Sequence, residues 1–240
     1  MSFINELVRK QSKRAREKRA KIFRDLFDIT PVTKILDLGS EDGFNIHSVL
    51  SGVDYKPENI YIADINEDFI EKGHEKYGFT PVLINEDGRM EFEENFFDIV
   101  YCSSVIEHVT VSKDMVWRCK SGREFRRASL AHQLEFASEV KRLGKEYFVQ
   151  TPYRHFLVES HTWLPFVAWL PRRILIPTLR LSNKFWVKQT APDWNLLNRN
   201  EMKYLFQNAK ILDEKLAGMT KSLMAVSRLG DCRSEHKNIR

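Results

Sequence analysis

Short apolar runs alternate with helical patterns along most of the chain, and this alternation restricts its fold more than any other feature. Seven segments read as strands, at residues 34–38, 60–64, 81–84, 97–103, 146–150, 210–215 and 222–227. Helices are predicted at 43–50, 67–77, 123–143 and 199–207. Alternating strands and helices form parallel sheets that are covered on both faces. We therefore expect an α/β protein with a doubly wound, mostly parallel seven-stranded sheet whose last strand is antiparallel.

Positive charge is concentrated at the N-terminus of this 240-residue chain. Residues 1–24 hold nine Lys or Arg and two Glu, a net charge of +7, whereas the whole chain carries +5, so the remainder sums to −2. We predict a basic helical arm at 1–28, one main domain at 29–230 and a tail at 231–240. Ile22, Phe23, Leu26 and Phe27 lie at helical spacing and should anchor the end of the arm. Residues 9–24 would either be a solvated face or bind phosphates of RNA or of an anionic membrane surface.

The sequence predicts a cytoplasmic location. It has no apolar run long enough to span a bilayer, and its N-terminus lacks the apolar core of a secretory signal. Cys102, Cys119 and Cys232 are an odd set without metal-ligand spacing, which is typical of thiols in a reducing compartment.

Polar or glycine residues follow four of the predicted strands. The first strand runs into Asp37-Leu38-Gly39-Ser40-Glu41-Asp42-Gly43, the second ends at Asp64, Asp87-Gly88 comes after the third, and the fourth leads into Cys102–His108. In doubly wound sheets ligands bind at the carboxyl ends of the strands. Glycines let a turn approach a ligand closely, and an acid after the second strand can accept hydrogen bonds from ribose hydroxyls.

Taken together, Ile35–Gly43, Asp64, Asp87-Gly88 and Phe97–Val109 resemble the class I S-adenosylmethionine-dependent methyltransferases of the type 11 group, over about residues 33–151. The resemblance implies a Rossmann-like fold and S-adenosyl-L-methionine as cofactor. It would place Asp37 and Gly39 at the methionine end of the cofactor and Asp64 at the ribose, with Gly43 as a further cofactor-binding residue of the turn. Ile65 would lie against the adenine, Asp87 at the adenine amino group and Ser103 under the sulfonium. Gly88 would also bind the cofactor.

Glu41 departs from the family pattern, which usually has a second glycine at this position. An acidic residue there complements the positive end of the following helix. It would also crowd the carboxylate of the cofactor. A non-catalytic nucleotide-binding module is therefore kept as an alternative.

Candidate acceptor-side residues follow the fourth and fifth strands. His108 is the candidate general base because its pKa suits proton uptake near neutrality, and Glu107 beside it would orient it or contact substrate. Tyr153, Arg154, His155 and His161 are candidate substrate contacts. No metal site is predicted, since His155, Glu159 and His161 have no evident fourth ligand.

Residues of about 152–195, rich in Trp, Pro and Arg, are predicted to form a helical lid inserted after the fifth strand. Its aromatic residues are mixed with Arg172, Arg173, Arg180, Lys184 and Lys188. The lid would cover the acceptor pocket or rest on a membrane surface. We expect in-line methyl transfer to oxygen or nitrogen of a small-molecule, sugar, glycan or lipid-linked acceptor. RNA methylation that uses the basic arm is the alternative.

Overall fold

A computed structural model describes the backbone of residues 2–85, 88–186 and 188–229, and the side chains of these ranges from residue 13 onward. The strands are β1 Ile35–Leu38, β2 Ile60–Asp64, β3 Thr80–Leu83, β4 Phe97–Ser103, β5 Gly144–Pro152, β6 Lys210–Leu216 and β7 Met219–Ser227. The helices are α1 Ser2–Leu26, α2 Phe44–Val49, α3 Glu67–Tyr77, α4 Lys113–Val116, α5 Gly122–Leu143, α6 Arg172–Ser182 and α7 Arg199–Leu205.

The strands form one seven-stranded sheet in the order β3-β2-β1-β4-β5-β7-β6. Strand β1 pairs in parallel with β2 and β4, β2 pairs in parallel with β3, and β6 and β7 are antiparallel. This confirms the predicted α/β, Rossmann-like, mostly parallel sheet with an antiparallel end. Consecutive strands wind outward from β1 in both directions, which places a reversal of strand order beside β1.

The chain divides into two compact units. The first comprises residues 1–101, 143–148 and 228–240, and the second comprises residues 102–142 and 149–227. In the first unit, Phe23 and Phe27 at the end of the basic arm are buried, as the helical spacing of these aromatic residues predicts. The ring of Phe23 lies 5.0 Å from that of Tyr101 and 5.6 Å from that of Phe148. The arm therefore ends in the core of this unit.

In the second unit, the predicted lid segment contains helix α6 and an apolar cluster of its own. That cluster consists of Val167, Leu175, Leu179, Trp194 and Leu196.

Two of the lid cations, Arg172 and Lys188, donate to backbone carbonyls of this unit. Arg172 is buried and donates to the backbone carbonyls of Cys119, Pro192 and Val116, and its guanidinium lies 3.5 Å from the centre of the Phe125 ring. Lys188 donates to the carbonyl of Ser160. Both cations tie loops of this unit together. Lys188 is only partly buried, whereas the buried Arg172 is stable because its donors are satisfied.

Among the described residues, none of the helices combines the length and the hydrophobicity that are needed to cross a bilayer.

Gly73 lies where α3 passes close to the turn after β1. A Cβ atom at this position would lie 2.4 Å from Cδ1 of Ile62 and 2.8 Å from the backbone oxygen of Asp42. Replacing a glycine inside a helix by alanine normally stabilises it by up to about 1 kcal/mol. We expect the opposite for Gly73→Ala, a loss of about 1–3 kcal/mol in the free energy of unfolding, because the contact includes backbone that cannot yield freely.

Gly122→Ala is the matched control, since a Cβ atom at Gly122 has no neighbour within 4 Å. Urea unfolding monitored by circular dichroism measures both variants. Equal stability of the two alanine variants would show that α3 does not depend on this close approach.

Candidate functional site

The turn after β1 is held by the carboxylate of Asp64 at the end of β2. Its Oδ2 accepts from the backbone N–H of Glu41 at 3.0 Å, and its Oδ1 accepts from the N–H of Asn66 at 3.0 Å. The N–H groups of Gly39 and Ser40 donate to the carbonyl of Ala63. A carboxylate has about four acceptor positions. Asp64 therefore fixes the turn and keeps acceptor capacity for two ligand hydroxyls.

Asp37 is a buried carboxylic acid within β1. Its Oδ2 accepts a hydrogen bond from the hydroxyl of Ser40 at 2.7 Å. Burial, with a smaller contribution from the negative charge of Asp64, raises the pKa of Asp37 from 3.8 to about 7, although the hydrogen bond from Ser40 opposes this. An acid in this state is well placed to take up a cationic group, because such a group would stabilise its charged form.

Glu41 has a left-handed backbone conformation, with φ of 51°. Only glycine adopts this conformation without steric cost, and the flanking Gly39 and Gly43 also have positive φ, at 76° and 73°. Glu41 is thus a non-glycine residue at a position whose backbone favours glycine. Its side chain is exposed. The sequence identified the departure from the family pattern, but it did not show that the glycine-like conformation is kept.

The other residues predicted at the cofactor lie in different settings. Ile65 directly follows Asp64 and is 68% exposed, which leaves an apolar surface beside the acid. Gly88 is exposed with φ of 72°. Asp87 lies outside the described residues. In the second unit, Ser103 at the end of β4 donates to Oε1 of Gln150 at 2.8 Å.

A second group of polar residues is built around Glu107, which follows β4 and is fully buried. Its Oε2 accepts from the hydroxyl of Thr151 at 2.9 Å. Its Oε1 lies 3.9 Å from Nε2 of His161 and has no hydrogen-bond partner within the described part of the chain. Burial raises the pKa of Glu107, although the positive charges of His161 and His108 act in the opposite direction.

His161 is oriented by Glu159 and Trp194. Its Nδ1 lies 2.5 Å from Oε1 of Glu159, and its ring stacks on the indole of Trp194 with centroids 5.7 Å apart. The carboxylate of Glu159 also accepts the backbone N–H groups of His161 and Thr162. Burial raises the pKa of Glu159, but the hydrogen bonds and charge of His161 outweigh this and lower it. The ring of His161 is therefore fixed, with Nδ1 directed at a carboxylate.

His108 has a corresponding partner in Asp193, whose Oδ1 lies 3.5 Å from its Nδ1. The rings of His108 and His161 meet edge to face, with centroids 4.6 Å apart. Partial burial lowers the pKa of His108, but the carboxylates of Asp193 and Glu107 outweigh that effect and raise it. A ligand atom from each of Glu107, His108 and His161 lies within 4.8 Å of the others. We call these three residues the Glu-His-His cluster.

A buried hydrogen-bond clamp from α5 joins the segment of Glu107 and His108 to the segment that carries Asp193. Nε2 of Gln133 donates to the carbonyls of Ile106 and Asn195, and the amide of Asn195 donates back to Gln133. The backbone N–H of Asn195 also donates to the carbonyl of Glu107 at 2.7 Å. Sequence reasoning missed Gln133, Asp193 and Asn195, because no local pattern links residues so far apart in the chain.

The remaining predicted substrate contacts are not part of the Glu-His-His cluster. Arg154 is buried and forms an ion pair with Glu201 at 2.7 Å, so its guanidinium is committed to the interior of the second unit. Tyr153 forms an isolated bridge with Leu197, and its ring lies 5.3 Å from that of the exposed His155. Substrate contacts by Tyr153 and His155 stay predictions.

The first unit has the donors and acceptors that the predicted cofactor requires. The buried Asp37 fits the ammonium group, the remaining acceptor positions of Asp64 fit the two ribose hydroxyls, and the exposed Ile65 fits the face of the adenine. The glycine conformations at 39 and 43 allow close approach of the turn. The residues present are therefore compatible with S-adenosylmethionine.

Comparisons with known proteins identify a family for part of the chain. Residues 36–121 match the type 11 family model that is described as a methyltransferase domain. No curated protein matches the chain. The PH0226 protein from Pyrococcus horikoshii OT3 has a TM-score of 0.54 at 16% identity, over 90% of this chain and 89% of that chain.

Two further solved structures have a TM-score of 0.51. Haemonchus contortus phosphoethanolamine N-methyltransferase 2 in complex with S-adenosyl-L-methionine is 11% identical, over 82% of this chain and 38% of that chain. The small RNA methyltransferase HEN1 is 16% identical, over 90% of this chain and 25% of that chain. At these identities the likeness concerns the fold.

The raised pKa of Asp37 predicts how stability depends on pH. The folded protein keeps the proton to about pH 7, whereas the unfolded chain loses it near 3.8, so the free energy of unfolding falls as pH rises through this window. Asp37→Asn removes this dependence. We expect the variant, without cofactor, to gain about 2–3 kcal/mol relative to the wild type between pH 5 and pH 8, from about 1.4 kcal/mol per pH unit.

Asp98→Asn is the control for this measurement. Burial raises the pKa of Asp98, but Lys145 and the backbone N–H of Lys34 outweigh it and lower the pKa, so Asp98 is ionised throughout this pH range. Denaturant unfolding at pH 5 and pH 8 should show a pH-independent difference for Asp98→Asn. The same behaviour for Asp37→Asn would contradict a raised pKa.

Proposed function

Residues 36–121 are a methyltransferase domain of the S-adenosylmethionine-dependent type 11 family, and on that premise we propose that the protein methylates an oxygen or nitrogen of a small-molecule, sugar, glycan or lipid-linked acceptor. The observation that carries this proposal is the pair of histidines, His108 and His161, each with a carboxylate at Nδ1. A histidine with a carboxylate at Nδ1 can take up a proton, and a hydroxyl or ammonium acceptor must lose a proton when it is methylated.

When bound, S-adenosylmethionine supplies an activated methyl group on a sulfonium. The protein holds and orients the cofactor. Asp37 would bind its ammonium group through a buried carboxylate, and Asp64 its ribose hydroxyls. A preorganised geometry of this kind contributes roughly 7–11 kcal/mol to lowering the barrier of a bimolecular transfer.

His108 is the proposed proton acceptor. Asp193 at Nδ1 would hold the ring in one orientation and stabilise the imidazolium once a proton has been taken from the acceptor. His108 is partly exposed, as a group that meets substrate must be. Because Asp193 and Glu107 raise its pKa in spite of partial burial, its neutral form becomes dominant only above the ordinary value of 6.5.

The exposed face of α6 favours an amphiphilic acceptor within this class. Leu175, Ile176 and Leu179 of α6 are buried, whereas Ile174 and Leu181, two turns apart, are exposed, as is Phe185 just beyond the end of the helix. Arg173, Arg180 and Lys184 flank them and are also exposed. Apolar side chains between cations are typical of helices that rest at a membrane interface. This arrangement supports a lipid-linked substrate.

RNA methylation by the basic arm has less support. Lys13, Arg14, Arg16 and Lys18 on α1 are exposed, but Lys13 lies 3.9 Å from Glu17 and Lys21 pairs with Asp25 on the same helix. The likeness to the small RNA methyltransferase concerns the fold alone. A test that removed residues 1–24 would also remove the buried Phe23, so the exposed cations should be neutralised instead.

The cofactor assignment predicts the effect of Asp64→Asn. The amide keeps one acceptor oxygen but loses the charge, and hydrogen bonds to a charged group contribute about 1.5–3 kcal/mol. We therefore expect S-adenosylhomocysteine to bind about 10–100-fold more weakly, as measured by isothermal titration calorimetry. Asp68→Asn, an exposed acid in the first turn of α3, is the control and should bind as the wild type does. If both variants bind equally well, Asp64 does not contact the ribose.

The assignment of a base predicts a kinetic effect for His108→Ala. We expect unchanged S-adenosylhomocysteine affinity and about 10²–10⁴-fold lower turnover with an acceptor found by screening for methyl transfer. Turnover of the wild type should rise with pH through a value above 6.5, since the base must be neutral. His132→Ala removes an exposed histidine from α5 and serves as control. Unchanged turnover in His108→Ala would refute the assignment.

The exposed face of α6 predicts vesicle binding. We expect the wild type to co-sediment with vesicles that contain phosphatidylglycerol and to bind pure phosphatidylcholine more weakly, because cations flank the apolar residues. Leu181→Ser should reduce binding several-fold. Leu229→Ser is closely matched, since the two leucines are 60% and 61% exposed, and it should have no effect. Equal loss in both variants, or no binding by the wild type, would exclude this surface as a membrane contact.

A further inference from the structure

We propose that Glu107, His108 and His161 bind one divalent transition-metal ion. All three belong to the second unit, and their ligand atoms lie within 4.8 Å of one another. Ligands held about 2.1 Å from a metal lie about 3–3.5 Å apart, so small rotations of the side chains would complete the site. One pair of these atoms, Nε2 of His161 and Oε1 of Glu107, is 3.9 Å apart.

The unpartnered oxygen of Glu107 points to a ligand independently of the spacing. The side chain is completely buried, and Oε2 is satisfied by Thr151, whereas Oε1 has no hydrogen-bond partner among the residues that the structure describes. Leaving a buried carboxylate oxygen without a partner is costly. A cation between Oε1 and His161 would remove this cost.

The carboxylates behind the two histidines provide a second independent reason. Glu159 lies at Nδ1 of His161 and Asp193 at Nδ1 of His108, at 2.5 Å and 3.5 Å. Histidines that bind a metal through one nitrogen usually direct the other at a carboxylate, which fixes the ring and makes the ligand more basic. Here the acids engage Nδ1 and leave Nε2 of each ring to a metal. The buried Gln133 clamp fixes the segments that carry Glu107 and Asn195.

The donor set indicates which ions would bind. Two imidazole nitrogens and one carboxylate suit Zn²⁺, Mn²⁺, Fe²⁺ or Co²⁺, whereas Ca²⁺ and Mg²⁺ prefer sites made of oxygen. Three protein ligands also leave at least one coordination position open. An oxygen or nitrogen of the methyl acceptor would be able to occupy it.

The sequence predicted no metal site, and His155, Glu159 and His161 were the only ligand candidates that its pattern suggested. In the structure His155 is exposed and outside the cluster, and Glu159 supports His161 from behind. Metal binding itself does not depend on the proposed function. Its bearing on methyl transfer does, since a metal on Nε2 of His108 would exclude that nitrogen as general base and would promote loss of the acceptor proton itself.

The test uses the full chain without an affinity tag, after dialysis against a chelator. Zn²⁺ is titrated by calorimetry, and Co²⁺ is followed by its visible absorption bands. We expect one equivalent of each metal to bind the wild type, with a rise in melting temperature. Glu107→Gln keeps the side-chain shape and an acceptor for Thr151, so it should fold, and it should bind at least about 100-fold more weakly. Asp193→Asn should weaken binding by about 10–100-fold.

His132→Gln is the matched control, because it removes an exposed histidine of the same unit. It should bind metal as the wild type does, whereas His161→Gln should not. Without metal, Glu107→Gln should melt at or above the temperature of the wild type, which distinguishes a ligand from a residue needed for folding. No binding of Zn²⁺ or Co²⁺ by the wild type, or equal binding by all variants, would overturn the proposal.

S-adenosylhomocysteine binding is measured on the same samples. If it is intact while metal binding fails, only the metal site is wrong. If it is absent while one equivalent of metal binds, the metal site stands and the proposed methyl transfer does not.

Discussion

A buried carboxylate has to be protonated, fully hydrogen-bonded or paired with a cation, and this constraint organises both polar regions of the protein. Among the described residues, the carboxylates of Asp37, Glu107 and Glu159 in these regions are almost completely buried, and so is that of Glu214, which accepts from the hydroxyl of Ser222. Asp37 keeps its proton to about pH 7. Glu159 is ionised, because His161 and two backbone N–H groups surround it. Glu107 has one hydroxyl donor and two neighbouring histidines, which leaves one oxygen unpartnered. The acids Asp37, Glu107 and Glu159 would therefore stabilise a bound cationic ligand to different extents.

Local sequence patterns were sufficient for the framework of the fold. The strands at 60–64 and 97–103 and the helix at 67–77 have the predicted bounds, because each combines a clear apolar period with a polar or glycine residue at its end. Strands β5 and β7 are longer than predicted. Strand β7 pairs with β6 through a tight turn at Ala217 and Gly218, where both residues have positive φ. Pairing of this kind extends a strand beyond its apolar run, so it is not visible in periodicity.

Sequence patterns predicted only part of the candidate site, and there is a physical reason why they did not predict the rest. Asp37, Asp64 and the glycine turn lie at strand ends, where the sheet order itself brings them together. The partner of His108 is Asp193, and the clamp that joins their segments is Gln133 on α5. These contacts depend on the path of the lid segment, which has few regular elements. Arg172 illustrates the same limit, since composition indicates a surface cation and the structure has a buried one that holds α6 in place.

The two roles argued for His108 compete for the same atom, and the geometry of Glu107 bears on that competition. A general base of this kind needs a lone pair on Nε2 and a carboxylate at Nδ1, and Asp193 supplies the carboxylate for His108. It does not need a fully buried acid that faces a second histidine. That acid lowers the local potential, which raises the pKa of His108 and reduces the fraction of free base at neutral pH. A metal site uses the same three groups without this conflict, because the cation replaces the protons and satisfies the Glu107 oxygen. The burial of Glu107 is therefore better explained by a bound cation than by proton transfer alone.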